Sequence, residues 1–207
     1  MRRTKFIIGL LLALASATAS AGPFINGSFE MVPDERVAGV GSYGRWHIYN
    51  SLPGWETSRG TEIWFNNFIV PAKDGNNLLE LNAHGGDPSD PFRIYQSFDT
   101  DVGAMYEVSF WARARRDNNE KFAVQWDDIE HVITSHQRGI WKQFVYKFTA
   151  TDTYSMLGFE SRDGRRDTTG NLLDMVSVTR VPEPGTLALL ALGLIGLVLT
   201  RRRSARR

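Results

Sequence analysis

The sequence lacks cysteine entirely over its 207 residues. This absence excludes a disulfide scaffold, a thiolate metal site and a cysteine nucleophile. The composition also excludes a disordered protein, because 42% of the residues are hydrophobic and 12% are aromatic. Between its two ends, no window of about a dozen residues has a helical period. The length suits one domain with a buried core.

The sequence has little net charge, a formal +1, but this balance conceals basic ends and an acidic middle. Eight Lys and Arg residues lie in the first five and last seven positions. Residues 22–181 contain 16 Lys and Arg against 22 Asp and Glu, a net charge of −6. An acidic domain is poorly suited to bind nucleic acid, because that affinity depends on neutralising phosphates. We therefore expect no nucleic-acid partner.

The first 21 residues have the three parts of a secretory signal peptide. Residues 1–5 carry three basic side chains, residues 6–15 are apolar, and Ala19 and Ala21 form the small–x–small pattern of a cleavage site. We expect a short signal helix, export through the Sec translocon and cleavage after Ala21. A retained anchor helix is the alternative, which the short apolar stretch and the good cleavage site disfavour.

The other end of the chain contains a second apolar segment, residues 187–199, followed by a basic tail over 201–207. A transmembrane helix over about residues 185–200 would span roughly 24 Å at about 1.5 Å per residue. This length falls slightly short of the roughly 30 Å hydrocarbon core, and snorkelling arginines cover the difference. The positive-inside rule keeps the tail in the cytoplasm, so residues 22–180 would lie across the membrane.

A short motif, Val181, Pro182, Glu183 and Pro184, precedes this segment. The order of motif, apolar segment and arginine cluster resembles the tripartite PEP-CTERM sorting signal over residues 181–207. The resemblance implies processing by an exosortase, a membrane-embedded cysteine protease, in a Gram-negative bacterium that makes exopolysaccharide. The two prolines keep the backbone extended, as a protease requires. A plain tail anchor with a fortuitous Pro-Glu-Pro is the alternative.

Between the ends, short runs of alternating apolar and polar residues are separated by Gly, Pro, Asn and Asp. In the clearest run, 106–113, the apolar residues Tyr106, Val108, Phe110 and Ala112 share one face. Ten short strands between residues 22 and 180 indicate an all-β, two-sheet sandwich or jelly roll. The predicted strands cover residues 24–30, 45–49, 62–65, 78–82, 94–98, 106–113, 122–126, 144–148, 156–160 and 172–179.

Several motifs follow one another in this segment. They are Asn-Gly-Ser-Phe-Glu at 26–30, Leu-Pro-Gly-Trp at 52–55, Asp-Gly-Asn-Asn-Leu-Leu-Glu-Leu at 74–81, Tyr-Gln-Ser-Phe at 95–98 and Leu-Leu-Asp-Met-Val-Ser-Val at 172–178. Their order resembles the galactose-binding-like jelly roll of carbohydrate-binding modules and of plant cell-wall proteins of the DUF642 type. The resemblance covers nearly the whole middle segment, and it implies a jelly-roll sandwich that binds carbohydrate.

This resemblance also implies a structural calcium ion that ties the first strand to the last. The matching residues are Glu30 and Asp174, together with Asn26 and backbone carbonyls. Ca²⁺ takes about six to eight hard oxygens, and export would expose the domain to it. The family often has two adjacent acids in its closing strand, whereas Met175 follows Asp174 here. Ordinary surface or turn roles for the two acids are the alternative.

Carbohydrate sites stack sugar rings on aromatic faces and hold hydroxyls with planar polar side chains. We expect Tyr95, Trp111, Arg113 and Gln125 to face outward on neighbouring strands and to line one concave sheet face, joined by Trp64. Trp111 is the preferred exposed platform. Packing in the core is the alternative for each tryptophan.

Catalytic motifs are weak by comparison. Residues 39–44 spell G-x-G-x-x-G without the strand–helix context of a dinucleotide site. His131 and His136 have no obvious third zinc ligand. No catalytic residue is assigned, although five acids could supply a carboxylate pair for glycoside hydrolysis. These acids are Glu62, Glu80, Asp127, Asp128 and Glu160, and the sequence does not place two of them across a cleft.

These observations predict a secreted, exosortase-sorted protein that is not an enzyme and that carries a carbohydrate-binding β-sandwich. We expect it to pass through the inner membrane and to reach the cell surface or the extracellular matrix, where exopolysaccharide is the first candidate ligand. A structural or adhesive matrix protein without a defined sugar ligand is the alternative. A glycan-active hydrolase is the third hypothesis.

Overall fold

The structure is a computed structural model that describes residues 22–34, 41–42, 44–58, 60–81, 92–162 and 169–182. These residues form two antiparallel β-sheets. Within these ranges there is no helix, and hence none that could cross a membrane. The prediction of an all-β sandwich is confirmed.

Twelve strands build the two sheets. The larger sheet has seven strands in the order β1–β2–β4–β5–β12–β7–β10, and the smaller has five in the order β3–β6–β11–β8–β9. The last strand, β12, therefore lies inside the larger sheet between β5 and β7. The strands are β1 Gly41–Ser42, β2 Trp46–Tyr49, β3 Glu56–Thr57, β4 Thr61–Trp64, β5 Leu78–Glu80, β6 Arg93–Asp99, β7 Met105–Arg113, β8 Phe122–Trp126, β9 Ile129–Ile133, β10 Lys142–Thr149, β11 Tyr154–Ser161 and β12 Leu172–Arg180.

Aromatic side chains fill the space between the two sheets. Phe110 on β7 is fully buried, and its ring centroid lies 5.3 Å from that of Phe144 on β10. The same ring lies 5.0 Å from Phe159 on β11 and 6.1 Å from Phe122 on β8. These contacts join the two layers into one core. Burial of each such ring stabilises the fold by roughly 1.5–3 kcal/mol.

The strand predicted over residues 24–30 is wrong, because this segment is irregular. Asn26 and Phe29 have φ angles of 54° and 57°, in the left-handed region that interrupts a strand. The segment instead lies directly on β12. Val176 N donates to Gly27 O at 2.9 Å, and a Cβ at Gly27 would lie 1.8 Å from Val176 O.

Three observed strands are absent from the sequence-based prediction. Two of them, β1 and β3, have only two residues each. The third, β9, pairs with β8 across a tight turn in which Asp127 has a φ of 50°. Four of its five residues are exposed, so β9 lacks the alternation that marks a half-buried strand.

Replacing the central ring tests the shared core. Phe110→Ala should lower the free energy of unfolding by about 3–5 kcal/mol, because it leaves a cavity between the sheets. Val145→Ala on β10, where the side chain is 49% exposed, is the control and should cost less than about 0.5 kcal/mol. Chemical denaturation measures both, and equal costs would contradict a core shared by the two layers.

Candidate functional site

The outer faces of the two sheets point away from each other, and the predicted sugar-binding residues are divided between them. Tyr95 on β6 and Gln125 on β8 lie on the outer face of the five-stranded sheet. Trp111 and Arg113 on β7, and Trp64 on β4, lie on that of the seven-stranded sheet. The prediction that these residues line one face is therefore wrong. Alternation identifies the outward residues of a strand but not the sheet to which the strand belongs.

The loop 65–77, which joins β4 to β5, covers part of the outer face of the seven-stranded sheet. Trp64 is buried beneath it, in a small apolar cluster with Leu78 and Leu172. The indole Nε1 of Trp64 donates to Glu80 Oε2 at 2.7 Å. This side chain therefore packs inside the protein and is not available as a sugar platform.

The same loop reaches Trp111 and Trp141. Lys73 places its Nζ 3.9 Å from the centroid of the Trp111 ring, so a cation of the protein occupies one face of the expected platform. Trp141 Nε1 donates to Pro71 O at 3.0 Å. Arg113 lies 5.8 Å from the Trp141 ring centroid, and burial lowers its pKa.

The outer face of the five-stranded sheet carries a continuous polar row. Neighbouring register positions on β3, β6, β11, β8 and β9 bring together Glu56, Tyr95, Gly158, Gln125 and Glu130, in that order. Tyr95 Oη donates to Glu56 Oε2 at 2.9 Å, and this hydrogen bond raises the pKa of the tyrosine. Gln125 Nε2 donates to Glu130 Oε2 at 2.6 Å. We call this set the polar row.

Arginines flank the polar row and hold it in place. Arg162 donates to Glu130 Oε2 at 2.6 Å and to Glu160 Oε1 at 2.7 Å. The hydrogen bond from Gln125, followed by the contact with Arg162, lowers the pKa of Glu130. The Arg93 guanidinium lies 5.1 Å from the Tyr95 ring centroid.

Except for Tyr95 and Gln125, the sequence prediction missed the ligand candidates of this face. Glu56, Gly158, Glu130 and Arg162 became candidates only when the strand pairing was known. Residues 93, 95 and 97 share a face by alternation, so the sequence could have predicted only that Arg93 lies on the same face as Tyr95. Nothing in the sequence pattern aligns Gly158 with Tyr95.

The seven-stranded sheet contains a buried pair of carboxyl groups. Both belong to the five acids that were considered from the sequence as a possible carboxylate pair. Glu62 on β4 and Glu80 on β5 are cross-strand partners on the same face, and both are buried. Glu80 Oε1 accepts hydrogen bonds from Arg115 Nη1 at 2.6 Å and from Gly170 N at 2.7 Å. Glu62 hydrogen-bonds to Glu80, and its Oε2 is buried without a partner.

Burial and the neighbouring charge of Glu80 raise the pKa of Glu62 to about 9. Burial also raises the pKa of Glu80, but Arg115, Gly170 and Trp64 oppose this effect. Glu80 is therefore the partner that ionises first, and Glu62 keeps its proton at neutral pH. One proton shared by the pair, together with the charge of Arg115, makes the cluster electrically neutral.

Two of the predicted calcium residues, Glu30 and Asp174, contact the loop 72–77, whereas Asn26 contacts Met31 and Pro53. Glu30 Oε1 accepts backbone hydrogen bonds from residues 76 and 77, each at 2.7 Å. Asp174 Oδ2 accepts hydrogen bonds from residues 73 and 74 at 2.6 and 3.1 Å. Asn26 Oδ1 accepts a hydrogen bond from Met31 N at 2.9 Å. Backbone N–H groups thus already tie the first segment to the last strand.

The oxygens of this set are hard donors of the kind that Ca²⁺ prefers, although their lone pairs are partly engaged. Burial raises the pKa of Asp174 to about 6, against the opposing effect of its backbone hydrogen bonds. Across the ranges that the structure describes, no three His, Asp or Glu side chains group as metal ligands. A calcium ion here would therefore need backbone carbonyls among its ligands.

The sorting motif starts where β12 ends. Val181 N donates to Met105 O at 2.8 Å, and Pro182 is the last described residue. Glu183 and Pro184 lie outside the described residues. So do the predicted cleavage residues Ala19 and Ala21, the signal helix, the transmembrane helix and the basic tail.

The titration of Glu62 yields a pH-dependent prediction. Its pKa in the folded protein exceeds the ordinary carboxyl value of 4.5, so the folded state binds the proton more tightly. Stability should therefore fall as pH rises from about 5 to about 9. Glu62→Gln, which mimics the protonated form, should lose the dependence above about pH 6, the part to which Asp174, with its pKa of about 6, contributes little.

The control for this prediction is Glu80→Gln, which leaves Arg115 without its partner and should destabilise the fold at every pH. The measurement is urea denaturation of the three proteins across the pH range. Identical pH profiles for Glu62→Gln and the unmodified chain would contradict a protonated Glu62.

Comparison with solved structures gives several similar chains. A CBM4 structure has a TM-score of 0.45 and 18% identity, and the match covers 76% of this chain and 99% of that chain. TmCBM61 in complex with β-1,4-galactotriose has a TM-score of 0.43 and 15% identity, with coverage of 77% and 99%. The CBM22-1–GH10 modules of Clostridium thermocellum xylanase 10B, complexed with xylohexaose, have a TM-score of 0.43 and 19% identity, with coverage of 63% and 27%.

Sequence comparisons identify two family matches. No curated protein matches the chain. Residues 180–203 match the PEP-CTERM protein-sorting motif, which marks the chain as an exported protein sorted by an exosortase. Residues 22–179, the whole sandwich, match DUF642, a family described as proteins of unknown function. The chain is a member of the DUF642 family that carries a PEP-CTERM sorting motif.

Proposed function

We propose that this protein binds a polysaccharide, without cleaving it, on the outer face of its five-stranded sheet. The observation that carries this proposal is the polar row. It runs across all five strands and combines one aromatic ring with fixed amide and carboxylate groups. A linear polymer lying across the strands would meet each of these groups in turn.

The chemistry of the row suits sugar rings. The Arg93 guanidinium lies over one face of the half-buried Tyr95 ring, so a sugar would stack on the other face, and the hydrogen bond to Glu56 fixes the ring orientation. Gln125 and Glu130 present planar polar groups that pair with hydroxyls. Gly158, at the centre of the row, has no side chain, and the Arg93 side chain lies beside it, with Nε 3.6 Å from the position that a Cβ at Gly158 would take. A sugar ring over the row would therefore meet the Arg93 guanidinium, which can donate to its hydroxyls. Groups held in advance by neighbours lose little side-chain entropy on binding.

The buried carboxyl pair favours binding over hydrolysis. Glycosidases hold their two carboxyl groups about 5–9.5 Å apart on either side of the scissile bond. Glu62 and Glu80 instead hydrogen-bond to each other, with 2% and 0% exposure, so a glycosidic bond cannot enter between them. They also lie in the sheet opposite the polar row. Their contacts with Arg115 and Trp64 suit a structural role.

The match to the sorting motif supports a location outside the cell for this binding activity. In our proposal the chain crosses the inner membrane through the Sec translocon and is cleaved after Ala21. The segment at about 185–200 then holds it in the membrane until an exosortase acts. The mature protein reaches the surface or matrix of a Gram-negative bacterium, where exopolysaccharide is the ligand.

Calcium binding by Asn26, Glu30 and Asp174 remains part of the proposal. The ion would add a bond between the first segment and β12, which backbone N–H groups already join. In this role calcium stabilises the sandwich and takes no part in ligand recognition, because its two carboxylate ligands, Glu30 and Asp174, contact the loop 72–77 on the side of the seven-stranded sheet.

Polysaccharide binding is tested by affinity gel electrophoresis with acidic and neutral polymers. Tyr95→Ala should weaken retardation about tenfold, or about 1.4 kcal/mol, because a stacking surface is lost. Gln125→Ala should also weaken it, and Gly158→Leu should obstruct the centre of the row, where the new side chain would meet Tyr95 and Arg93. Trp111→Ala, on the opposite face, is the control and should bind normally.

Three outcomes would count against this proposal. Loss of retardation in Trp111→Ala alone would move the site to the seven-stranded sheet. Failure of every polymer to retard the unmodified protein would favour the adhesive matrix role. Release of reducing ends from a retained polymer would indicate a hydrolase.

Calcium binding is tested by thermal melting with calcium and with a chelator. A ligand present at about 100 times its Kd should stabilise the fold by about 2.7 kcal/mol, because it binds the folded state only. Asp174→Asn should remove the response. An unchanged melting temperature at millimolar calcium would exclude the ion.

A further inference from the structure

Two turns lie side by side at the end of the sandwich where β12 finishes. The turn 100–104 joins β6 to β7, and the turn 150–153 joins β10 to β11. Gly103 N donates to Ala150 O at 2.8 Å, and Ala150 N donates to Ala104 O at 3.0 Å. These backbone bonds join the two turns into one end surface.

The sorting motif leaves the domain from this surface with no linker before it. Arg180, the last residue of β12, contacts Asp101 Oδ2 at 2.6 Å. Val181, the first residue of the motif, is bonded to Met105 at the start of β7. The folded domain therefore holds the chain up to the first residue of the motif.

The distance from this surface to the predicted membrane segment is short. Five residues, 182–186, separate the last held residue from the apolar run 187–199. Fully extended, they span at most about 18 Å. The headgroup layer fills roughly 5–8 Å of that distance. The N-terminal side also starts here, since Asp99 N donates to Gly22 O at 2.8 Å.

The same surface exposes large apolar side chains. Val102, at the tip of the first turn, is 64% exposed, the highest value among the large apolar residues of the described ranges. Met105 and Tyr154, the first residues after the two turns, lie at opposite rims of this surface, one on each outer face, and are 45% and 54% exposed. Turn tips ordinarily carry Gly, Asn, Asp or Ser. Tyrosine is enriched where membrane meets water.

We propose that Val102, Met105 and Tyr154 form a membrane-facing end that contacts the bilayer interface while the C-terminal segment tethers the chain. This inference rests on the membrane tether of the proposed function, and it does not depend on polysaccharide binding. The occupant is the lipid interface because the tether holds this end, and no other, within reach of the headgroups.

The charges of this end favour apolar contact over attraction to anionic lipid. Asp99, Asp101 and Asp152 are acidic, and among the described residues of the two turns and the end of β12 the basic side chain is Arg180, which is paired with Asp101. An acidic surface gains nothing from a negative membrane. The contact should therefore persist in neutral lipid and at high salt.

This orientation would leave the polar row open to a polymer. β6 runs toward the membrane-facing end and finishes at Asp99, so Tyr95 stands about 13 Å from that end at roughly 3.3 Å per residue. The five-stranded sheet would then stand upright on the membrane, with its outer face turned sideways.

The absence of cysteine allows a direct test with single labels on the full chain. Val102→Cys and Tyr154→Cys, each carrying an environment-sensitive fluorophore, are reconstituted in phosphatidylcholine vesicles that contain nitroxide-labelled lipid. Ile140→Cys is the matched control. Ile140 is 59% exposed, and it precedes β10, whose other end reaches the membrane-facing end.

We expect vesicles to carry all three proteins in flotation. The labels at 102 and 154 should lose fluorescence to the nitroxide and shift to shorter wavelength, at low and high salt alike, while the label at 140 does neither. Flotation without quenching at 102 and 154, or equal quenching at 140, would contradict the proposed membrane-facing end and leave the membrane tether standing. Failure to float would overturn the tether and this inference together, while leaving polysaccharide binding standing.

Discussion

The burial of one aromatic core between two sheets is the constraint on which this molecule depends. The ring contacts of Phe110 with Phe144, Phe159 and Phe122 lock the layers together. Side chains alternate along each strand, so every strand residue that does not point into this core lies on one of the two opposite outer faces. The loop 65–77 covers part of one face, and the other carries the polar row. The proposed division between a structural face and a binding face follows from this arrangement.

The sequence predicted the architecture better than the site, for a physical reason. Alternation along a strand such as 106–113 is a local property, so nine of ten strands and the sandwich could be predicted. Which strand joins which sheet depends on long-range pairing, and this pairing separated Tyr95 from Trp111. The pairing of Glu62 with Glu80 was hidden for the same reason. The segment 24–30 failed because its left-handed residues adapt it to β12, a contact between opposite ends of the chain.

The position of β12 links the fold to its sorting. This strand lies inside the seven-stranded sheet, yet it is the last element before the PEP-CTERM motif. The larger sheet is therefore incomplete until residues next to the exosortase signal have folded into place. Asp174 and the backbone of Val176 also connect β12 to the loop 72–77 and to the first segment.

The central claim, that the polar row contacts the ligand, is tested most directly by a ¹⁵N–¹H spectrum recorded during titration with an oligosaccharide of the bound polymer. The side-chain amide of Gln125 reports on the five-stranded face, and the indole groups of Trp111 and Trp141 report on the opposite one. The account predicts that the Gln125 signal and the backbone amides around Tyr95 and Gly158 shift, while both indole signals stay in place. Shifts confined to the two indole signals would contradict it.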